Sequence, residues 1–194
     1  MKIGLYVEGP TDAAFYQPLV CRVLRLETSD IIVRIRRGVC IKGLKISLES
    51  VLKEFRLANC THWALAADRH EATAAEASQI AQKITEAVQG TPCSIGVAVM
   101  QLEAWLLADY RTLGRVMGKP DFQKPPKVEE IEDPKRYIQE HFGYLPTLES
   151  LAQMAQEIDL EIARKESRSF DRFIKDLEAW RQASSQAPRN RRTP

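Results

Sequence analysis

The segment KIGLYVEGPTD, residues 2–12, decides the fold class of this 194-residue chain. Its first part, Lys2 to Val7, is an almost continuous apolar run, which predicts a parallel strand that is buried on both faces. Glu8 then places a carboxylate at the end of the strand, and a Gly-Pro turn leads to Thr11, a residue type that caps helices. A buried strand that turns at once into a helix is typical of a βαβ unit.

The same alternation of strand and helix continues to about residue 110, as expected for right-handed βαβ units stacked into one sheet. The sequence therefore predicts an α/β fold, with an open parallel sheet of about four strands flanked by helices. The predicted strands are Lys2 to Val7, Asp30 to Ile35, His62 to Ala67 and Ser94 to Val99. The predicted helices of this part are Thr11 to Leu26, Ser47 to Leu57, Thr73 to Val88 and Gln101 to Asp109.

The character of the chain changes after Gly118. Residues 119–134 carry four prolines and many charges, which favours a loop. Beyond the loop the pattern is helical, with amphipathic segments at Pro134 to His141, Thr147 to Ile158, Leu160 to Glu166 and Ser169 to Gln182. We therefore expect an α/β domain over residues 1–118, a helical annex packed on it over 119–183, and a disordered tail over 184–194.

The composition excludes some classes of protein. A hydrophobic content of 44% can supply a core, and a net charge of +2 is too mild to indicate a nucleic-acid partner by itself. The four cysteines stand far apart without CxxC spacing, which indicates reduced thiols in a cytoplasmic protein. No apolar run approaches the roughly 18 to 20 residues of a membrane helix. We expect a soluble, cytoplasmic protein without a membrane partner.

Acidic residues follow three of the predicted strands. Glu8 follows the first strand, Asp68 follows the third, and Glu103 lies in the first turn of the helix after the fourth. Ligands of open parallel sheets bind beyond the carboxyl ends of the strands, so we expect Asp68 to face Glu8. Converging carboxylates repel one another unless a cation neutralises them, and Mg²⁺ prefers such oxygen ligands. The pattern predicts a Mg²⁺ site for phosphoryl transfer, although a helix cap at Asp68 and a surface charge at Glu8 are the alternatives.

Two of these stretches resemble the motifs of known families. The string VEGPTD, residues 7–12, resembles the first motif of Toprim domains, in which a Glu after a short strand is a metal ligand or general acid/base. The string MQLEAWLLAD, residues 100–109, resembles the signature of DUF4276, a Toprim-like family of unknown function. That family is related to the overcoming-lysogenization-defect nucleases and to the RloB-type proteins of phage defence. The similarity extends to DPK at 133–135 and RSFDRF at 168–173.

The resemblance implies roles for particular residues. Glu8 takes the place of the catalytic Glu, Asp12 that of an auxiliary acid, and Asp68 that of the first Asp in an Asp-x-Asp pair. Glu8, Asp68 and Glu103 are accordingly the expected catalytic residues. The expected metal ligands are Glu8, Asp12, Asp68, His70 and Glu103, and the expected cofactor is Mg²⁺ or Mn²⁺.

The sequence departs from the Toprim pattern at one position. His70 stands where the second Asp of the pair belongs, and imidazole is a poorer ligand for Mg²⁺ than a carboxylate, though acceptable for Mn²⁺ or Zn²⁺. Three alternatives stay open: a single tightly held metal, substitution by Glu71 or Glu103, or loss of catalysis.

A cluster of basic residues surrounds the loop after the second predicted strand, with two glycines inside it. Glycine lets a backbone approach a phosphate closely, and lysine or arginine neutralises its charge. We therefore expect Arg37, Lys42 and Lys45 to bind phosphate beside the acids, while a charged strand edge that discourages sheet pairing is the alternative. The whole cluster is Arg34, Arg36, Arg37, Lys42 and Lys45.

A second set of basic residues lies on the helical annex. These residues could line a nucleic-acid groove, but the acids interspersed among them favour solvated helix faces. They are Lys135, Arg136, Arg164, Lys165, Arg168 and Arg172.

Two classes of function fit these features. The first is metal-dependent cleavage of a phosphodiester, with Glu8 as general acid/base or ligand and with Asp68 and Glu103 holding the metal. The second is a degenerate Toprim module that binds nucleic acid or a partner without cutting. A role in phage defence or a mobile element would require a separate ATPase, because the chain has no GxxxxGK[ST] motif. The expected partners are DNA or RNA and such an ATPase.

Overall fold

The computed structural model describes residues 1–35, 44–70, 72–88 and 90–186, with the backbone alone for residues 44–47. The strands of the described part are β1 (Ile3–Val7), β2 (Ile31–Ile35), β3 (His62–Asp68) and β4 (Cys93–Ala98). They form one sheet in the order β2-β1-β3-β4, and every pairing is parallel. The predicted α/β class, an open parallel sheet flanked by helices, is confirmed and is consistent with a Toprim-like fold.

Helices connect the strands and continue beyond them. The connecting helices are α1 (Pro10–Leu24), α2 (Leu44–Leu57) and α3 (Ala74–Ala87). The later helices are α4 (Glu103–Ala108), α5 (Tyr110–Val116), α6 (Pro134–Phe142), α7 (Leu148–Glu157), α8 (Leu160–Glu166) and α9 (Arg168–Gln186). None of the described helices is both long and apolar enough to cross a membrane.

Two helix ends differ from the sequence prediction. The first helix is capped by Gly9 and not by Thr11. The backbone N–H of Gly9 donates to the carboxylate of Asp12 at 2.8 Å. The last helix continues to Gln186, into the segment predicted as a disordered tail, and residues 187–194 lie outside the described residues.

A helix that the sequence did not predict follows α4. Asp109 is buried, and its side chain accepts from the Thr112 N–H at 3.2 Å, which caps α5 immediately after α4 has ended. The same carboxylate accepts from the Asp159 N–H at 2.8 Å, so that it also holds the start of α8. One buried acid thus sets the positions of two helices.

The central strands β1 and β3 are buried on both faces, which explains their continuous apolar runs, whereas the edge strands β2 and β4 are partly exposed. Ile3, Leu5 and Val7 point to the core formed with α1, while Tyr6 points to the core formed with α2 and α3. At Gly4 the ring of Phe55 approaches so closely that a Cβ would lie 2.4 Å from its Cγ. The absence of a side chain at this position therefore lets α2 pack directly on the central strand.

The C-terminal helices share the core on the α1 side of the sheet. Trp105 lies at the centre of an aromatic cluster, with ring centroids 5.5 Å from Tyr16, 5.2 Å from Phe170 and 5.5 Å from Phe173. Its indole N–H donates to Ser169 Oγ at 2.7 Å. The two signature strings, LEAWLLAD and RSFDRF, are thus in direct contact. The division of the chain at residue 118 stays a prediction.

Two arginine side chains tie the first helix to later helices by donating to backbone carbonyl groups across the contact. Arg22 of α1 donates to the carbonyl oxygen of Ile158 at 2.8 Å, and Arg181 of α9 donates to the carbonyl oxygen of Val23 at 3.0 Å. These bonds satisfy carbonyl groups near the ends of α1 and α7, which the helices themselves leave without partners. They fix α1 against both helices.

We expect Gly4→Ala to destabilise the fold, because the new methyl group would overlap the Phe55 ring. Overpacking of this kind costs about 1–3 kcal/mol, which should appear as a lower urea midpoint at unchanged slope. Gly9→Ala is the matched control, because a Cβ there meets no atom closer than 3.6 Å. Equal effects of the two substitutions would contradict the tight packing of α2 on β1.

Candidate active site

An acidic cavity of about 380 Å³ opens at the carboxyl ends of β1 and β3. All five residues predicted as metal ligands line it, namely Glu8, Asp12, Asp68, His70 and Glu103. The opposite wall comes from the later helices and their connection, through Lys135, Leu145, Pro146 and Leu151. The fold therefore brings together predicted ligands as far apart in the sequence as Glu8 and Glu103, which are separated by 95 positions.

Glu8 is held at the tip of the neighbouring strand. Because β1 and β3 pair in parallel, their carboxyl ends lie side by side, and Glu8 Oε1 accepts from the Asp68 N–H at 3.1 Å. The pKa of Glu8 is raised to about 7, chiefly by partial burial. The hydrogen bond from Asp68 lowers the pKa, whereas the charge of Asp12 raises it further. Glu8 is thus close to half protonated near neutral pH.

Asp68 is the most perturbed of the four acids. Burial is the main cause that raises its pKa, to about 8, and the charges of Asp12, Glu103 and Glu8 add to the effect. Its Oδ2 lies 3.8 Å from His70 Nε2. At neutral pH a proton is therefore retained in the cavity in the absence of a cation.

Asp12 and Glu103 complete the acidic wall from two helix N-termini. Burial raises the pKa of both carboxyls, while the nearby ammonium group of Lys135 opposes the rise. Lys135 is on α6. The backbone N–H of Lys135 donates to Gln101 Oε1 at 3.1 Å, which helps to fix α6 at this edge of the sheet. The sequence favoured a solvated helix face for Lys135, yet its side chain lines the cavity.

Two residues beside the cavity have unusual backbone conformations. His70 follows β3 with φ 46°, and Met100 follows β4 with φ 65°, in the left-handed region that non-glycine residues seldom occupy. They are joined by a hydrogen bond from the His70 N–H to the Met100 carbonyl oxygen at 2.9 Å. Such conformations cost energy and cluster at functional sites, so this pair marks the sheet edge that carries the acids.

Tyr16, which the sequence analysis did not single out, is buried within the electrostatic influence of the four acids but does not line the cavity. Its side chain is fully buried, and its hydroxyl has no hydrogen-bond partner in the described part of the chain. Burial raises the pKa of the phenol, and the charges of all four acids raise it further. The available signal was its spacing, because residues four apart, such as Asp12 and Tyr16, share one face of a helix.

Comparison with known proteins gives one family. The family model described as a domain of unknown function, DUF4276, matches residues 7–178. The chain belongs to this family. No curated protein and no solved structure matches it.

The fit of a divalent cation to this DUF4276 site depends on donor type and on arrangement. The donors are carboxylate oxygens with one imidazole, which suit Mg²⁺ and Mn²⁺. Among the described residues, however, no three His, Cys, Asp or Glu side chains are grouped closely enough to hold a metal ion together. Mg²⁺ keeps several waters and needs only one or two protein carboxylates, so the donors fit a sparsely held ion rather than a closed cage.

The predicted phosphate-binding loop is not part of the described site. Arg37 and Lys42 lie outside the described residues, as do the side chain of Lys45 and the alternative ligand Glu71. Arg34, the described member of the basic cluster, pairs with Glu54 of α2 and donates to the Val33 carbonyl oxygen at 2.9 Å. Arg34 therefore joins β2 to α2.

We expect Asp68→Asn to stabilise the metal-free DUF4276 protein at pH 8. The pKa of Asp68 is about 8 in the folded protein and lies above its value in the unfolded chain. Between about pH 4 and 8 the folded protein therefore binds more protons than the unfolded chain, so its stability falls as the pH rises through that window. Removing the charge should restore about 1–3 kcal/mol at pH 8 and little at pH 5. Denaturant titrations at both pH values in EDTA measure this.

The control for this measurement is Asp121→Asn, because Asp121 is exposed and does not line the cavity. A wild-type stability that is flat between pH 5 and 8, or the same change in both variants, would contradict the mutual repulsion of the buried acids.

Proposed function

We propose that this chain is a metal-dependent enzyme that cleaves phosphodiesters, of the Toprim type. The observation that carries the proposal is the convergence of four partly buried acids, Glu8, Asp12, Asp68 and Glu103, in one cavity at adjacent parallel strand ends. Buried carboxylates repel one another and destabilise a fold, so a site that keeps four of them favours a cationic ligand. Hydrolysis of phosphodiesters is the chemistry that such ions support.

The Toprim assignment is supported by motif and topology together. The VEGPTD string occupies the end of the central strand β1 and the start of α1, which is where the resemblance requires it. Asp68 ends the strand that is hydrogen-bonded to β1. The related defence proteins extend the proposal to nucleic acid as substrate, to phage defence or a mobile element as the setting, and to an ATPase as a candidate partner.

The proposed roles follow from the environment of each acid. A bound Mg²⁺ or Mn²⁺ would be held by Asp68 and Glu103, and it would supply charge neutralisation at a phosphate. Glu8, with a pKa of about 7, can accept or release a proton near neutral pH, as a general acid or base must. The negative charge of Asp12 helps to keep the pKa of Glu8 raised.

One further residue would act on the substrate side. Lys135 contributes an ammonium group to the cavity, which is suited to a non-bridging phosphate oxygen.

A non-catalytic module is the second candidate function. It is favoured by the DRH sequence at residues 68–70, which lacks the second Asp of the Toprim pair, and by the open arrangement of the acids. In that case the cavity would bind nucleic acid or a partner ATPase without cutting. The two functions are separated by the effect of Glu8, because only the enzyme requires its proton transfer.

We expect Glu8→Gln to abolish Mn²⁺-dependent cleavage of DNA or RNA. The amide keeps an oxygen for the Asp68 N–H but cannot exchange a proton, so the rate should fall at least about 100-fold. Gel assays of labelled single-stranded, double-stranded and RNA substrates with Mg²⁺ or Mn²⁺ measure this, with Glu149→Gln on the exposed face of α7 as control. Wild-type levels of cleavage by the Glu8 variant would rule out the proposed mechanism.

We also expect Mn²⁺ to raise the melting temperature, and to do so more at pH 8 than at pH 5.5. Protons compete with the cation for the acids whose pKa values are raised, so binding should strengthen as these groups lose their protons. Thermal scans with and without EDTA, together with Mn²⁺ electron paramagnetic resonance, report binding directly. The double variant Asp68→Asn with Glu103→Gln should show no shift; a shift of wild-type size in that variant would place the ion elsewhere.

A further inference from the structure

A second cavity, of about 520 Å³, lies between α3 and α9 on the open side of the edge strand β4. Its floor is one face of that strand, where Cys93, Ile95, Val97 and Val99 alternate along the chain. One wall is α3, through small and polar residues, and the other wall is α9 with the end of β3. We call this cavity the β4 groove.

Three arginines line the β4 groove, and their charges are not neutralised by ion pairs with described residues. Arg168 and Arg172 are one turn apart on α9, both are exposed, and Arg69 follows Asp68 at the end of β3. By contrast, Arg164 of the same annex is engaged by Asp171 at 2.8 Å and Glu178 at 3.2 Å. Arg164 thus has a structural role, whereas Arg168 and Arg172 face the groove.

The two acids of the groove are occupied by other groups. The carboxylate of Glu129 accepts from the Ser167 hydroxyl at 2.8 Å and from the Ser169 N–H and hydroxyl at 2.8 and 2.7 Å. Asp176 accepts from Ser94 Oγ at 3.0 Å. These bonds direct the two carboxylates to the start of α9 and to the edge strand, and Asp176 also lies within the electrostatic influence of Arg172. The three arginines still outnumber the two acids of the groove, so the site carries a small excess of positive charge.

Arg69 has an unsatisfied donor. Its Nε is buried without a hydrogen-bond partner in the described part of the chain, and its Nη2 reaches only the sulfur of Met100, at 3.6 Å. A buried guanidinium N–H without an acceptor is costly, and such groups call for an explanation. The Nε–H is shielded from solvent, so an anionic oxygen in the groove would bind the guanidinium through its terminal Nη groups, as in the bidentate pairs that arginine forms with phosphate.

We propose that the β4 groove is a binding site for a phosphate-bearing nucleotide unit. The arginines contact the phosphate, and the base lies on the aliphatic floor formed by Ile95 and Val97, opposite Ala77 and Ala81 of α3. The polar residues Ser78, Gln82 and Thr85 on the rim of α3 offer hydrogen bonds to the base edge or sugar. An apolar floor with a few convergent polar groups is the usual form of a small-ligand site.

The groove and the acidic cavity meet at one strand end. Asp68 lines the acidic cavity, and the next residue, Arg69, lines the groove. The backbone N–H of Arg69 donates to the carbonyl oxygen of Ala98 at 2.9 Å, which ties this strand end to β4. A nucleic-acid strand that crosses this edge would meet the arginines first and the acids next. In this form the inference rests on the proposed function, whereas the same phosphate chemistry also fits a free nucleotide.

The test measures binding in EDTA, so that cleavage plays no part. Fluorescence anisotropy follows a labelled 12-residue single-stranded oligodeoxynucleotide in one arm and a fluorescent nucleoside diphosphate in the other. We expect the double variant Arg168→Gln with Arg172→Gln to weaken binding at least about 10-fold, since each arginine contacts a phosphate. The matched control is Arg111→Gln with Arg115→Gln, which removes two arginines at the same spacing from α5, outside both cavities.

A second pair of variants tests the floor of the groove without changing charge. Ser78→Trp places an indole over the floor from the exposed face of α3, whereas Gln79→Trp places it on the next residue, which does not line the groove. Loss of binding in the first variant only, at an unchanged melting temperature, is the expected result.

Each outcome decides the inference. Selective loss in the groove variants supports it, and the arm that binds tells a nucleic-acid strand from a free nucleotide. No binding in either arm by the wild type, or equal effects in groove and control variants, overturns it. If the variant lacking Arg168 and Arg172 cleaves at the wild-type rate in Mn²⁺, the proposed function stands and the groove has no part in it. If the wild type binds nucleotide in the groove but shows no cleavage, the groove stands and the proposed function fails.

Discussion

The hydrogen bond from the Asp68 backbone N–H to the Glu8 carboxylate is the contact on which the site depends. It exists because β1 and β3 are parallel neighbours, so that the strand end bearing one acid lies beside the strand end bearing the other. The helix that follows β1 then adds Asp12, and the helix that follows β4 adds Glu103. Sheet order thus determines which acids meet, and local helix starts determine how they point.

The cost of this arrangement falls on the fold itself. Burial raises the pKa values of the four partly buried acids, and charges among them add to the effect. Lys135 places an ammonium group in the same cavity and opposes the rise at Asp12 and Glu103. The backbones of His70 and Met100 are held in left-handed conformations at the same edge. Stability given up in one place for function is a common feature of active sites, and here it is offset by a core that includes the C-terminal helices.

Much of the architecture was predictable because the strands are apolar along nearly their whole length and the central two are buried on both faces. Continuous apolar runs located each strand to within one residue, and their carboxyl ends led to Glu8, Asp68 and Glu103. The order of the strands was not predictable, since hydrophobic patterns fix which residues are buried but not which strands pair. The helix α5 was missed because its start depends on Asp109, whose role as a cap requires the buried tertiary setting. The proximity of Tyr16 and Lys135 to the acids was missed for a similar reason: an aromatic residue in a helix and a lysine on a helix surface look ordinary until distant elements are assembled.

The bonds of Arg22 and Arg181 have a consequence for biosynthesis. They join positions 136 and 158 residues apart, and the aromatic cluster around Trp105 likewise includes Phe170 and Phe173. While the chain is being translated, the helix α1 and one face of the sheet have no complete covering until the last of these segments leaves the ribosome. Contacts of such long sequence separation slow folding and prolong the exposure of apolar surface. The nascent protein therefore has a long interval in which its parallel strands need protection from other chains.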